Sequence, residues 1–146
     1  MLIIPILKNL PVLPALLQTA VLALISASLP MKTTLVSTSL AIAASKDGQR
    51  QIVISPTARQ IEQSQSFHVL AFAASPKELI LAESEGAFTM KEWDDAYRVA
   101  FEHCCTSPSI DDADTLMSDG PPTHADLQRF TRSTVEQKTA SDLYWK

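Results

Sequence analysis

Only three glycines occur in 146 residues. Loops that cradle phosphate need several glycines at close, fixed spacing, so nucleotide sites of that kind are excluded. The two cysteines are adjacent, Cys104-Cys105. Neighbouring cysteines do not bridge without strain, and two are too few for a zinc site. Reduced thiols of a cytosolic or nuclear protein are the expectation. Positive charge is also scarce, with 12 Lys and Arg against 16 Asp and Glu and a net charge of −4. A protein that holds nucleic acid by its own charge is normally basic. If this chain works on nucleic acid, partners must supply the positive path. One further absence is local: Gln51 to Ser66 contains no Asp and a single acid, Glu62. A divalent cation prefers several hard oxygen ligands, and one carboxylate is a poor substitute.

What is present suffices for one domain of ordinary size. Hydrophobic residues make up 46% and charged residues 19%, so a core is possible. Asn9 to Met31 is an uncharged run between Lys8 and Lys32. Its length meets the ~20-residue criterion for a membrane span. Lys8, the apolar stretch and Ala27-Ser28 together also mimic a secretory signal. Pro11, Pro14, Gln18, Thr19, Ser26 and Ser28 oppose both. Leu13, Leu16, Leu17, Ala20, Val21, Leu24 and Ile25 recur at helical spacing, which favours a packed core helix. That helix should start near Pro14, which suits a first turn, and end near Leu29-Pro30. A signal or membrane segment stands as the alternative.

Residues 1–10 fit no pattern. Thr33 to Ala44 reads as a buried strand with small residues, Ser37, Ser39, Ala41 and Ala43, on one face. Lys46-Asp47-Gly48-Gln49 is a turn signal. A short strand follows from Gln51 to Ile54, kept from a central position by Pro56. Ala58 to Ser64 is a helical turn or loop. Strands from Phe67 to Ala74 and Leu79 to Ser84 flank the turn Ser75-Pro76-Lys77-Glu78. Thr89-Met90-Lys91-Glu92 is a capping box. It opens a helix whose one face carries Trp93, Ala96, Tyr97, Ala100, Phe101 and Cys104. Residues 106–123 break the composition with Pro108, Gly120, Pro121, Pro122 and four aspartates, and read as an acidic disordered loop. A last helix is expected from Ala125 to Leu143, with a sparse apolar pattern. The domain boundaries are therefore 11–105 for the main unit, 106–123 for the loop and 124–146 for the C-terminal helix.

No constellation of side chains carries a specific chemistry. Asp111, Asp112 and Asp114 lack the alternating ligands, central Gly and terminal Glu of a calcium loop. His68, His103 and His124 are scattered without metal spacing. His68 shares a strand face with Leu70 and Phe72 and is expected as a satisfied core or interface histidine. No Gly-x-Ser-x-Gly elbow occurs. Ser55-Pro56 and Ser107-Pro108 are possible phosphorylation sites. No catalytic, cofactor-binding or metal residue is expected.

One resemblance joins these segments. Leu16-Leu-Gln-Thr-Ala-Val-Leu-Ala-Leu-Ile-Ser-Ala-Ser-Leu-Pro-Met31 is similar to an Ala- and Leu-rich helix ending in a Gly-Ile-Pro-Met-like turn. A small-residue strand, Leu35 to Ala44, follows. Ile52-Val-Ile-Ser-Pro-Thr57 looks like a strand ending in Asp-Pro-Thr, with Ser55 in place of Asp. Leu79-Ile-Leu-Ala-Glu-Ser-Glu-Gly86 and Phe88 through Trp93 complete the order. In this order, Leu13 to Glu102 resembles the second half of RNase PH-like subunits of the eukaryotic RNA exosome. The details look most like the fungal version of the ring subunit nearest in type to bacterial RNase PH.

The resemblance implies an α+β fold, a helix packed on a mostly antiparallel sheet as in ribosomal protein S5 domain 2. In the phosphorolytic members this half supplies metal- and phosphate-holding acids, which Gln51 to Ser66 lacks. The Gly-Thr-Arg-like phosphate segment of the first half has no counterpart here either. The resemblance thus implies a catalytically inactive ring subunit, with no cofactor, that supports 3′→5′ RNA processing and decay. Its partners would be other RNase PH-like ring subunits and RNA passing through the ring, in nucleus, nucleolus and cytoplasm. The alternatives are a phosphorolytic 3′→5′ exoribonuclease and a small secreted or membrane-anchored protein.

Overall fold

The computed structural model describes residues 9–44, 50–105 and 124–143. A short 3-10 turn, Leu10–Val12, leads into α1, Leu13–Ser26. Strands β1, Leu35–Ala44, and β2, Arg50–Ile54, come next. They precede a short helix, α2, Ala58–Glu62. Strands β3, Ser66–Ala73, and β4, Leu79–Gly86, follow. Two helices close the order, α3, Met90–Cys105, and α4, His124–Leu143. The strands form one antiparallel sheet in the order β2-β1-β3-β4. This is the α+β arrangement expected from the sequence. Among the described residues, each strand begins or ends within two residues of its expected place. The turn at 46–49 and the acidic loop at 106–123 lie outside them.

Alternation along the strands decides which helix covers which face. Val36, Leu40 and Ile42 on β1 and Leu70 and Phe72 on β3 point to α3 and meet Ala96, Ala100, Cys104 and Cys105 there. The aromatic row of α3 completes this layer. Phe72 packs against Tyr97 and Phe101, and Trp93 stacks on Tyr97 with centroids 5.6 Å apart. On the opposite face Ala41, Phe67 and Val69 pack with Ile61 of α2 and with Leu10 and Leu13. The small residues expected on that face let α1 come close, and Ser37 Oγ donates to the Pro14 carbonyl at 3.2 Å. Leu10, which the sequence left unplaced, therefore belongs to the core unit.

The capping box at the start of α3 forms as expected. Thr89 N–H donates to Glu92 Oε2 at 2.6 Å, and Glu92 N–H donates to Thr89 Oγ1 at 3.4 Å. The other carboxylate oxygen of Glu92 pairs with Arg50. That ion pair ties the edge strand β2 to the first turn of α3.

Two expectations about α1 need correction. The helix ends at Ser26, not near Leu29, because Ser28 turns left-handed at φ 54°. Its covered stripe is also narrower than the seven apolar residues suggest. Leu13, Pro14, Leu17, Val21 and Ile25 are half-buried, whereas Leu16 is 59% and Leu24 41% exposed. The sheet touches only one side of the helix, and the outer side meets no other described element beyond a limited contact with α4. At 14 residues α1 is about 21 Å long, short of a ~30 Å hydrocarbon core. Among the described residues no helix is long and apolar enough to cross a membrane.

Gly86 ends β4 opposite Ser66, with φ at 101°. A Cβ there would collide with the Gln65 carbonyl and lie 2.8 Å from the Ser66 Cα. Both obstacles are backbone. Gly86→Ala is expected to lower the unfolding free energy by at least ~2 kcal/mol, from strained φ and the clash together. Chemical denaturation checks this. In the opposite direction, Thr38 is 4% exposed and its hydroxyl has no hydrogen-bond partner among the described residues. Thr38→Val keeps the shape and removes a buried unpaired group, so a gain of about 1 kcal/mol is expected by the same measurement.

Candidate functional site

Two places on the sheet concentrate polar side chains. The first is the segment from β2 to the start of β3, which the family resemblance aligns with an acid-bearing stretch. Ser55 follows the last residue of β2 in a left-handed conformation, φ 50°, and its N–H donates to the Ser39 carbonyl at 2.9 Å. Pro56 then directs the chain to Thr57, the N-cap of α2. Thr57 N–H and Oγ1 both donate to Gln60 Oε1, at 2.8 and 2.9 Å. The side chains that would have to gather oxygens around a cation are thus turned to capping a five-residue helix. Glu62, the single acid of the segment, is exposed on α2. Among the described residues no three His, Cys, Asp or Glu side chains come together in a metal-binding group.

The second place is internal. His68 is completely buried in β3, between Ser66 on its own strand and Ser84 on β4. Its Nε2 lies 3.0 Å from Ser66 Oγ and its Nδ1 2.9 Å from Ser84 Oγ. The Phe88 ring meets it edge to face, with centroids 4.8 Å apart. A neutral imidazole satisfies both contacts, donating at one nitrogen and accepting a hydroxyl at the other. Burial holds its pKa below the ordinary 6.5, which favours that neutral form. The Ser66–His68 distance is that of a nucleophile and its base. The fully enclosed His68 and the 3% exposure of Ser66 leave no approach for a substrate. The cluster is the satisfied core histidine that the sequence indicated.

The other expected residues are dispersed. His103 is half-buried on α3, and burial lowers its pKa too. His124 opens α4, and Asp111, Asp112 and Asp114 lie outside the described residues. Cys104 and Cys105 are free and buried. Burial, then the neighbouring Cys105, pushes the Cys104 thiol up to about 12, which suppresses the reactive thiolate.

Sequence reading missed a groove of about 620 Å³ between the end of α1 and α4. Ile25, Leu29, Met31, Val135 and Leu143 supply its apolar wall, and Lys32 stands among its polar residues. The two helices are far apart in the chain, so no local pattern announces it. The nearest signal is the thin apolar spacing of α4 itself.

No family profile matches the chain, and no curated protein matches it. Among solved structures, the fold is similar to the crystal structure of Rrp46 from rice (Oryza sativa), with a TM-score of 0.56 at 19% identity. The match covers 85% of this chain and 47% of the rice chain, so the chain spans about half the length of that structure. An antiparallel four-stranded sheet with helices on both faces is therefore the RNase PH-like second-domain fold that the sequence motifs implied.

Both described histidines with lowered pKa make stability depend on pH. Below about 6.5 the unfolded chain binds protons that the folded chain refuses, so unfolding gains. Stability is then full above pH 6.5 and falls as pH drops toward the lowered folded values. The denaturant midpoint at pH 5 is expected below that at pH 7.5, with a smaller difference in His68→Asn.

Proposed function

We propose that the chain is a non-catalytic structural ring subunit of the RNA exosome, supporting 3′→5′ RNA processing and decay. It pairs with another RNase PH-like subunit and helps shape the path of RNA toward a nuclease elsewhere. rRNA maturation and mRNA turnover, in nucleus, nucleolus and cytoplasm, are the processes this role serves. The quoted residues favour the fungal form of the subunit.

The observation that carries the reading is the Rrp46-like sheet combined with the acid-poor segment from Gln51 to Ser66. The fold places this segment on an edge strand and a short helix, and Glu62 stands there without acidic companions. Open apolar surface supports the assembly side of the proposal. Val12, Leu16, Leu24 and Leu29 are exposed on or beside α1, and Phe130, Val135 and Leu143 on α4. Exposed apolar surface of this kind favours association.

Co-expression tests the proposal. The chain is expected to be poorly soluble alone and to gain solubility and co-elute with an RNase PH-like exosome subunit. The purified pair is expected to release no nucleoside diphosphate from RNA with phosphate and Mg²⁺ beyond the partner alone. A monodisperse monomer that captures no ring subunit defeats the assembly claim. Phosphorolysis that survives repurification and belongs to this chain defeats the non-catalytic one.

A further inference from the structure

Ser55 is anchored through its backbone and open through its side chain. Its N–H is held by the Ser39 carbonyl at 2.9 Å, where edge strand β2 leaves the sheet. Its hydroxyl makes no hydrogen bond among the described residues, a state it shares with Ser26, Ser28, Ser39 and Ser75, whereas Ser37, Ser64, Ser66, Ser84, Ser133 and Ser141 commit theirs to a partner. Ile54, Ser55, Thr57, Ala58, Arg59 and Gln60 form an almost continuous exposed stretch around half-buried Pro56. Thr57 is extended, with φ −69° and ψ 160°, before α2 begins.

We propose that Ser55 is the phosphoacceptor of a proline-directed serine/threonine kinase. Such a kinase reads three features that meet here. They are an accessible hydroxyl, an imino residue directly after it, and a cation a few residues downstream. Pro56 is the imino residue, and its missing N–H leaves nothing unpaired in a closed pocket. Arg59, exposed four residues on, offers a fork of donors to acidic groups in the kinase cleft. In the transfer, Ser55 Oγ attacks the γ-phosphorus of ATP and the Oγ–P bond forms. The bond from that phosphorus to the β,γ-bridging oxygen breaks, ADP leaves, and the hydroxyl proton passes to the kinase base. The product adds about −1.5 to −2 charges at the end of an edge strand. Charge on an edge is a means by which a sheet resists pairing with a foreign strand. The proposal is independent of the exosome reading.

The test incubates the native full chain with a cyclin-dependent kinase, Mg²⁺ and ATP, and maps phosphate by peptide mass spectrometry. Near-stoichiometric phosphate on Ser55 is expected, absent in Ser55→Ala. Pro56→Ala is expected to slow the initial rate at Ser55 at least tenfold, and Arg59→Ala several-fold. Arg59 is exposed and makes no side-chain bond among the described residues, so its variant keeps the test decisive if Pro56→Ala fails to fold. Phosphate confined to Ser75 or Ser107 overturns the proposal. So does labelling of Ser55 that is seen only after heat unfolding, or that is equally fast in both variants.

Discussion

Strand β3 is buried along its whole length, from Ser66 to Ala73, and that burial is the constraint on which the rest of the structure depends. A strand with water on neither face needs a hydrogen-bonded neighbour on each side and a cover above and below. β1 and β4 supply the neighbours. α3 covers one face, and α1 with α2 covers the other. The two covers differ in what β1 offers them. Toward α3 the sheet offers large residues, Leu40, Ile42, Leu70 and Phe72, and the helix answers with Ala96, Ala100 and Cys104. Toward α1, β1 offers Ser37, Ser39 and Ala41, so the bulk comes from Phe67 and Val69 of β3 and from Leu10, Leu13 and Ile61 outside the sheet. Alternating bulk in this manner lets layers interdigitate at interior density.

The same constraint explains where polar groups sit. Buried polar groups are costly unless paired. Ser66, His68 and Ser84 pair with one another inside the sheet, so an imidazole is accommodated where only apolar side chains would otherwise fit. The enclosure that makes this network stable also removes it from any substrate. Chemistry therefore has to be sought at the rim, and at the rim the segment from Ser55 to Glu62 is organised around capping bonds and one isolated acid.

The sheet's edges are treated unequally. At β4 the register shifts beside Ala71 and Phe72, so that Ile80 faces no residue of β3 and stands 55% exposed. A bulge of this kind twists an edge away from flat pairing. β2 has no bulge, and its Arg50 is engaged with Glu92 of α3. The outer side of α1 and the groove toward α4 stay apolar and open.

Much of this was legible in the residues. A buried run with a small-residue face marked β1, short β-prone runs bounded by turn residues marked β3 and β4, Thr89 and Glu92 marked the start of α3, and Pro56 marked β2 as peripheral. The company of Leu70 and Phe72 marked His68 as a core residue. These features are local, because strand and turn residues and cap chemistry are written within a few neighbouring positions. The order of small-residue strand, Ser-Pro-Thr turn and Glu-Gly pair was enough to suggest the fold. Other matters were decided only by contacts between distant parts of the chain. Leu16 and Leu24 are as apolar as Leu13 and Leu17, and only the position of the sheet determined which pair was covered. Ser84 became the second partner of His68 through strand register, sixteen residues away. Gly86 was required because the backbone of Gln65 and Ser66 passes against it. Sequence spacing specifies which side chains share a face, but the shape of the surface opposite determines which of those faces is buried.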